Sequence, residues 1–260
     1  QSQAREDINE SVEQSLEELT LQVNEAFAVP VAGLRLLTNN VTLSSLAQPV
    51  VDSNDDITQS AINTLRNLMD RNQNDFISLK FITLDGEQRA ILDRNNIGLS
   101  VDTTPQASDL ADDPIFITIS AGISPGTVYL GPLSAVTEEY PAGTFTLYVP
   151  VANPNNRNNS IGIVALEVNA ERLLQVIDEV SNSALLSTDG RGVLLLNGDN
   201  RVLLSVGDQD ALNVPIEDFM ADNSGEFTQR FIDFRYFASA GTTAQYIGID
   251  TPWQIVMVDD

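Results

Sequence analysis

The residues with the clearest chemical potential lie on two predicted strands that follow each other in the chain. Side chains alternate between the two faces of a strand, so Thr144, Thr146 and Tyr148 share one face of the segment Thr144 to Pro150. The opposite face is wholly apolar and is expected to meet the core or helices. Hydroxyl and aromatic groups beside apolar ones are typical of small-molecule sites. The Thr/Tyr face is therefore a candidate pocket wall, and the alternative is an ordinary solvent-facing surface.

The second strand, Ile161 to Val168, carries an unusual carboxylate. Glu167 shares a face with Ile163 and Ala165, and it lies near the end of an otherwise apolar strand. A Glu in this position more often reaches solvent than a ligand. A role in binding and a solvent-exposed strand end are therefore both open interpretations.

The absence of two residue types excludes several kinds of site. The 260-residue chain has no Cys and no His. This excludes thiol nucleophiles, disulfides, Ser-His-Asp triads and nearly all zinc, copper or haem sites, so we predict no cofactor and no catalytic residue. The run Asp52 to Asp56 begins like a calcium loop, but Ile57 and Asn63 stand where Gly and Glu are required, so we predict no metal site.

The charge of the chain limits its partners. The formal net charge is −24, from 37 acidic and 13 basic residues. Such a surface repels nucleic acid and anionic lipid, so neither is a predicted partner. No apolar run approaches the roughly 18 residues that a membrane-spanning helix needs. If the chain is part of a membrane protein, we expect its transmembrane helices to lie outside this sequence.

Helices are predicted at the start of the chain. Apolar residues spaced by threes and fours predict a long amphipathic helix from Arg5 to Ala28, which Pro30 need not end. This helix packs on its own domain, forms a homodimer, or does both. A second helix is predicted from Asp55 to Arg71, with Ser53 and Asp56 as its capping residues.

Strands dominate the segment that follows. Phe76 to Leu84 and Gln88 to Asp93 flank the pair Asp85-Gly86, a strong hairpin signal. Val101 to Pro114 is predicted to be a loop or a short irregular helix over the sheet. Four further strands and one helix are predicted at Ile115 to Ser120, Thr127 to Gly131, Thr144 to Ala152, Ile161 to Val168, and Glu171 to Val180.

A second, shorter unit repeats this pattern. Ala184 to Gly190 resembles Lys80 to Gly86, because both are apolar strands with a Thr followed by an Asp-Gly turn. Trp253 is expected to fill the core of this unit. Three closing strands are predicted at Phe231 to Ala238, Ala244 to Ile249, and Trp253 to Val258.

Several segments in this order carry a family resemblance. They are the hairpin Leu79 to Arg89, Gly126 to Leu133, Phe145 to Val151, Ile161 to Val168, Leu185 to Gly190, and Pro252 to Val256. Together they resemble the double Cache family of extracytoplasmic sensors. The resemblance implies an α+β fold with a long N-terminal helix and two tandem PAS-like domains, each an antiparallel sheet flanked by helices. The expected divisions are a stalk helix at 1–38, a membrane-distal domain at 39–180 and a smaller membrane-proximal domain at 181–260.

The resemblance also implies a function. The chain is expected to be the periplasmic or extracellular ligand-sensing part of a transmembrane receptor of the histidine kinase or chemotaxis type. It would bind a small molecule in the distal domain and would not itself be an enzyme. Two alternatives stay open: a protein-interaction or dimerisation module without a small ligand, and a glycoside hydrolase built on paired carboxylates.

The family's binding residues map onto this sequence with two departures. Glu167 stands where amino-acid-binding members have an Asp that holds the ligand's ammonium, and Tyr129 matches a ligand-contacting Tyr. Their Arg-x-Trp pair, which grips the carboxylate, is replaced by Asp113 to Phe116. Common α-amino acids are therefore disfavoured, because an Asp repels a carboxylate.

A cationic or neutral ligand is the expectation that follows from these departures, because carboxylates and aromatic faces both attract cations. Arg89 could instead meet an anion, although a hairpin Arg is more often a surface ion-pair partner. The candidate binding residues are Arg89, Phe116, Tyr129, Thr146, Tyr148 and Glu167.

Overall fold

The computed structural model describes residues 2–49, 54–122, 125–133, 137–181, 191–196, 202–207, 228–232, 235–241 and 254–259. Its helices are α1 (Ser2–Leu37), α2 (Asp56–Arg71), α3 (Pro114–Ser120) and α4 (Glu171–Ser181), with a 3₁₀ turn at Val41–Ser45. Helix α1 continues past Pro30, as the sequence predicted. From the fifth turn onward one side of α1 is buried, through Leu16, Leu19, Val23, Phe27, Val31, Leu34 and Leu37.

Helix α2 begins one residue later than predicted. Asp55 has an extended backbone, and its side chain accepts a hydrogen bond from Thr58 N at 3.2 Å, so Asp55 is the N-cap. Asp56 is the first residue of the helix, whereas the predicted capping box requires it to be the third, and Ser53 lies outside the described residues. The buried side of α2 carries Ala61, Ile62, Leu65, Leu68 and Met69.

A seven-stranded antiparallel sheet follows α2. In space the strands run β3-β2-β1-β7-β6-β5, and β4 pairs with β2. The predicted hairpin is confirmed, because Gly86 has a φ of 87° and closes the turn through a bond from its N–H to Thr83 O at 3.0 Å. The strands are β1 (Phe76–Thr83), β2 (Glu87–Asn95), β3 (Gly98–Asp102), β4 (Gln106–Ala107), β5 (Tyr129–Leu133), β6 (Thr144–Asn153) and β7 (Asn156–Asn169).

The register of the sheet separates two chemically distinct faces. Directly paired residues point to the same side, so one row across the sheet is made of buried leucines: Leu92, Leu79, Leu166, Leu147 and Leu130. We call this side the leucine face. The neighbouring row points to the other side, the polar face, and it consists of Ser100, Asp93, Ser78, Glu167 and Thr146.

Different helices cover the two faces. Arg94 points to the leucine face, and its guanidinium donates to Met69 O in α2 at 2.8 Å and to Phe76 O at 3.3 Å. Helix α2 therefore lies on the leucine face, whereas α3 packs on β6 over the polar face.

Strands β1 and β7 approach closely at Gly162. A Cβ atom on Gly162 would lie 2.6 Å from Phe81 Cζ and 2.8 Å from Ile82 O.

The segment before β5 differs most from the prediction. Ile115 to Ser120 was predicted to be a strand, because its β-branched residues favour strands, but it forms helix α3. The reason is local: Asp113 Oδ1 accepts from Ile115 N at 2.7 Å, and Pro114 has the backbone angle that a first helical residue requires. The predicted loop from Val101 to Pro114 also contains the end of β3 and the short strand β4.

The later part of the chain contains a second antiparallel sheet, ordered β10-β11-β12-β8-β9. Phe231 to Ala238 was predicted to be one strand, but it belongs to two paired strands that meet at Ile232 and Arg235. The predicted strands Ala184 to Gly190 and Ala244 to Ile249, and Trp253, lie outside the described residues. The five strands are β8 (Arg191–Leu196), β9 (Val202–Gly207), β10 (Thr228–Ile232), β11 (Arg235–Gly241) and β12 (Gln254–Asp259).

The contacts divide the chain into two compact units. One consists mainly of Val29–Ala170, and the other combines Gln1–Ala28 with most of the chain from Glu171 onward. The expected boundary lay at residues 180 and 181, whereas the contacts change between residues 170 and 171. The difference arises because α4 packs on β8 and β9 and therefore groups with the second sheet.

Replacing Arg94 by Met should remove two hydrogen bonds between β2, the start of β1 and helix α2. We expect the free energy of unfolding to fall by about 2 kcal/mol, because two carbonyl groups lose a charged donor. Urea unfolding followed by circular dichroism measures the change. Arg66→Met, on the exposed side of α2, is the matched control and should cost less than about 0.5 kcal/mol. Equal losses in both variants would contradict this role of Arg94.

Candidate ligand-binding site

An aromatic and aliphatic cluster lies between α3 and the polar face. Tyr148 is only 1% exposed, so the Thr/Tyr side of β6 is not an ordinary solvent-facing surface. The cluster brings together three predicted site residues, Phe116, Tyr129 and Tyr148, of which Tyr129 is partly buried. Its buried members are Ile82, Phe116, Ile119, Tyr148, Ile163 and Ala165.

Asp113 ties this cluster to the start of α3. Its Oδ1 accepts from the backbone N–H groups of Ile115 and Phe116, and its Oδ2 accepts from the Tyr148 hydroxyl at 3.2 Å. Burial raises the pKa of Tyr148, and the nearby Asp113 charge raises it further, so the tyrosine stays protonated and donates. Both oxygens of the Asp113 carboxylate therefore accept from donors of its own chain.

Glu167 is held by hydroxyl donors and does not simply extend into solvent. Thr144 Oγ1 donates to Glu167 Oε1 at 2.8 Å, and Ser78 Oγ donates to Glu167 Oε2 at 3.2 Å. Both hydroxyl residues are buried, Glu167 is half-buried, and Thr146 lies beside it on the paired strand. The arrangement fixes a carboxylate at the edge of the aromatic cluster.

Further charged groups surround this carboxylate. Lys80, which lies on β1 two residues after Ser78, forms an ion pair with Asp109: the distance from Nζ to Oδ1 is 2.7 Å. This lysine is therefore already paired and does not neutralise Glu167. Burial raises the pKa of Asp93; Lys80 opposes this rise, and the charges of Glu167 and Asp109 add to it. The polar face therefore gathers three carboxylates around one lysine.

Tyr140 lies close to the same carboxylates. Burial and the adjacent Glu139 raise the pKa of Tyr140, and smaller contributions come from the charges of Glu167 and Asp93. The charges of Glu167 and Asp93 therefore act together on this part of the chain, and a cation entering the polar face would be attracted by both carboxylates.

The hydrogen bonds of Arg89 go to Pro49 and Glu87 and to none of these residues. It is buried, and its guanidinium donates to Pro49 O at 2.9 Å and to Glu87 Oε2 at 2.6 Å. The expected alternatives were an anion site and a surface ion pair. The ion pair is present but is not on the surface, because Arg89 joins the β1–β2 hairpin to the chain before α2.

Sequence reasoning missed several residues that the structure places on the polar face. Ser78 and Lys80 alternate along β1, and Asp93 follows the apolar part of β2. The sequence does contain a signal for Ser78 and Lys80: polar residues alternate with apolar ones along this strand of the hairpin, so the polar ones must share one face of the sheet. Within the ranges that the structure describes, no group of acidic residues has an arrangement suited to a metal ion.

No family profile and no curated protein matches the sequence, but solved structures match over nearly the whole chain. The extracellular domain of the histidine kinase vpHK1S-Z8 is 12% identical with a TM-score of 0.59, covering 98% of this chain and 93% of that one.

Two chemoreceptor domains are similar to the same extent. The ligand-binding domain of Campylobacter jejuni Tlp3, in complex with L-valine, is 10% identical with a TM-score of 0.59, covering 100% of this chain and 94% of that one. That of Pseudomonas fluorescens CtaA, in complex with L-leucine, is 13% identical with a TM-score of 0.58, covering 100% and 97%. The chain has the fold of these sensor domains.

This likeness confirms the predicted α+β sensor fold. The amino acids bound to Tlp3 and CtaA are at odds with the expectation that common α-amino acids are disfavoured as ligands of this chain. Among the described residues, no helix is both long and apolar enough to cross a membrane.

Replacing Asp93 by Asn should raise the melting temperature at pH 7. The folded protein holds the Asp93 proton more tightly than the usual pKa of 3.8 implies, so ionisation of Asp93 at neutral pH destabilises the fold. The advantage of the Asn variant should shrink as the pH falls through the raised pKa toward 3.8. Differential scanning calorimetry between pH 3.5 and pH 7 measures this trend.

Asp102→Asn is the control for this prediction. The pKa of Asp102 is lowered, mainly by a hydrogen bond from Thr104 N, so its ionised form does not destabilise the fold. This substitution should not raise the melting temperature at pH 7. A rise in both variants would point to the reduced net charge of the chain as the cause.

Proposed function

We propose that this chain is the extracytoplasmic ligand-sensing region of a transmembrane signalling receptor of the histidine kinase or chemoreceptor type. The observation that carries the proposal is the half-buried Glu167, held by Thr144 and Ser78 beside the aromatic cluster on the polar face. The shared fold with extracellular sensor domains supports the same function. The binding unit is Val29–Ala170, which corresponds to the expected membrane-distal domain.

The preferred ligand is a protonated amine. Glu167, Asp93 and Asp109 outnumber the single Lys80 on this face, so a positive ligand group lowers the repulsion among the carboxylates. A neutral ligand is compatible with the face but gains less from it. Anionic ligands are disfavoured by the same charges.

Common α-amino acids are disfavoured because of their carboxylate group. Asp113 already accepts the N–H groups at the start of α3 and the Tyr148 hydroxyl, so those donors are not available to a ligand. Arg89, the buried cation of the hairpin, bonds to Pro49 and Glu87. A ligand that keeps the ammonium and lacks the carboxylate therefore fits these charges better than its parent amino acid.

We assign no catalytic role to these residues. Asp93 and Glu167 are the kind of carboxylate pair that a glycoside hydrolase uses, but Glu167 is occupied by two hydroxyl donors. The Thr144 and Ser78 hydroxyl groups hold the Glu167 carboxylate in one orientation, which suits recognition of a ligand. Turnover of chromogenic glycosides by the purified chain would contradict the assignment.

Matched pairs of ligands test the preferred chemistry. Isothermal titration calorimetry should show that 3-methylbutylamine binds more tightly than L-leucine, and isobutylamine more tightly than L-valine, because each amine lacks only the carboxylate. Glu167→Gln should weaken amine binding by at least about tenfold, since a charged hydrogen-bond partner is lost. Glu138→Gln, an exposed change on the loop before β6, should leave binding unchanged.

Two results would count against this ligand class. Tighter binding of the amino acids than of the amines would show that the chain supplies a carboxylate site despite Asp113. Amine binding of equal strength in the Glu167→Gln and Glu138→Gln variants would place the ligand away from the polar face.

We also propose that α1 mediates a homodimer. Val29 and Leu36 are 59% and 66% exposed, and they lie seven residues apart on one side of the helix with exposed Ala32 between them. An exposed apolar strip is a surface on which a second copy can pack, because the contact removes apolar area from water.

Charges placed on this strip should separate the copies. In sedimentation equilibrium at 0.3 M salt, which screens the net charge, wild type should dimerise at tens of micromolar and Val29→Glu/Leu36→Glu should be monomeric. Ile97→Glu, at a 98% exposed apolar residue in the β2–β3 turn, is the control and should dimerise like wild type. A monomeric wild type, or a dimeric double variant, would contradict the proposal.

A further inference from the structure

A second concave region lies at the other end of the same sheet, where the β1–β2 and β6–β7 turns meet the chain after α1. It is an open pocket of about 490 Å³, within the range of small-molecule sites. Its polar lining residues are Ser44, Gln48, Asp85, Asn153, Asn155 and Ser160. None of the residues placed around Glu167 lines it.

One group in the wall of this pocket lacks a partner. The Ser160 hydroxyl is buried and has no hydrogen-bond partner among the residues that the structure describes. Buried hydroxyl groups are nearly always hydrogen-bonded, so an unpaired one beside a pocket marks a position for an external partner. The Asn153 carboxamide uses its oxygen to accept from Asn155 N at 2.9 Å, and this bond leaves its NH₂ group unused.

The chemistry of the lining favours an uncharged, hydroxylated ligand. Five of the six polar side chains are neutral amides or hydroxyls, which can donate and accept in the way that sugar hydroxyl groups require. The sixth, Asp85, is an acceptor whose pKa is lowered, mainly by the hydrogen bond from Thr83. Leu84, Pro154 and Ile161 supply an apolar wall for the C–H groups of such a ligand.

We propose that this pocket is a second binding site, which takes a small neutral polyol of monosaccharide size through Ser160, Asn153, Gln48 and Asp85. The site is separate from the amine site proposed on the polar face. Ser78 and Thr83 are five residues apart on β1, so the two sites are separated by roughly 17 Å along the strand. Binding at one can therefore be removed without touching the other.

Saturation-transfer difference NMR and calorimetric titration of the 260-residue chain with D-glucose and myo-inositol test this site. At least one of the two probes should bind with a dissociation constant in the millimolar range or tighter. Ser160→Ala should weaken that binding by about tenfold, because one hydrogen bond to the ligand is lost. Ala47→Trp, which fills the pocket from its lining, should abolish it.

Thermal stability supplies a readout that does not depend on the ligand. Ser160→Ala should raise the melting temperature of the ligand-free chain, because an unpaired buried hydroxyl destabilises the fold. Ser60→Ala, at an exposed position of α2, should leave the binding unchanged and should raise the melting temperature only by the small gain in helix propensity, less than Ser160→Ala does. A fall in the melting temperature of Ser160→Ala would show that the hydroxyl already has a partner, and this would overturn the inference.

Glu167→Gln separates this inference from the proposed amine site. Probe binding should be the same in Glu167→Gln as in wild type. Loss of polyol binding in that variant, binding that persists in Ala47→Trp, or no binding of either probe at 20 mM would each overturn the inference, and none of these results bears on amine recognition.

Discussion

The pairing of Leu166 with Leu79 on one side and Leu147 on the other determines what each face of the first sheet can do. Because side chains alternate along a strand, a slip of one residue would bring the polar row onto the side where α2 packs. Each buried leucine contributes about 1.5–3 kcal/mol, so a row of five strongly favours one register. The position of Glu167 beside Ser78 and Thr146 then follows from packing on the opposite face.

The polar face has a surplus of negative charge that is only partly exposed to water. Hydroxyl donors from Thr144 and Ser78 stabilise one carboxylate locally, and Lys80 is already committed to Asp109. Asp93 has no such donors among the described residues: its burial raises its pKa, Lys80 opposes the rise, and the charges of Glu167 and Asp109 add to it. Asp113 differs from these residues, since it is satisfied by backbone donors and Tyr148 and belongs to the structure of α3.

Much of this arrangement could be predicted because it depends on local patterns. The sequence predicted the turn at Asp85-Gly86, the two faces of Thr144 to Pro150 and the long first helix. The helix at Pro114–Ser120 was missed because its β-branched residues favour a strand, while a single capping Asp and a Pro decide otherwise. Strand propensity is a weaker constraint than a satisfied helix N-terminus when the segment also packs on a buried tyrosine.

Long-range pairing limited the prediction of the site itself. The partners of Glu167 on β1 lie 89 residues away in the chain, and no local pattern links Ser78 to that carboxylate. The same holds for Arg89, whose partner Pro49 is 40 residues away and outside any regular element. Residue types and parity suggested which strands carry the site, but only the strand order β1-β7-β6 shows which side chains meet.

The close approach at Gly162 has a consequence for how this fold can diverge. Any side chain there would meet both the Phe81 ring and a backbone oxygen that cannot move aside. A smaller residue at position 81 would remove the clash with the ring but not the clash with the Ile82 oxygen. Replacing Gly162 should therefore destabilise the fold even when Phe81 is replaced as well. Where β1 pairs with β7, Gly162 should therefore be among the positions of this sheet that tolerate substitution least.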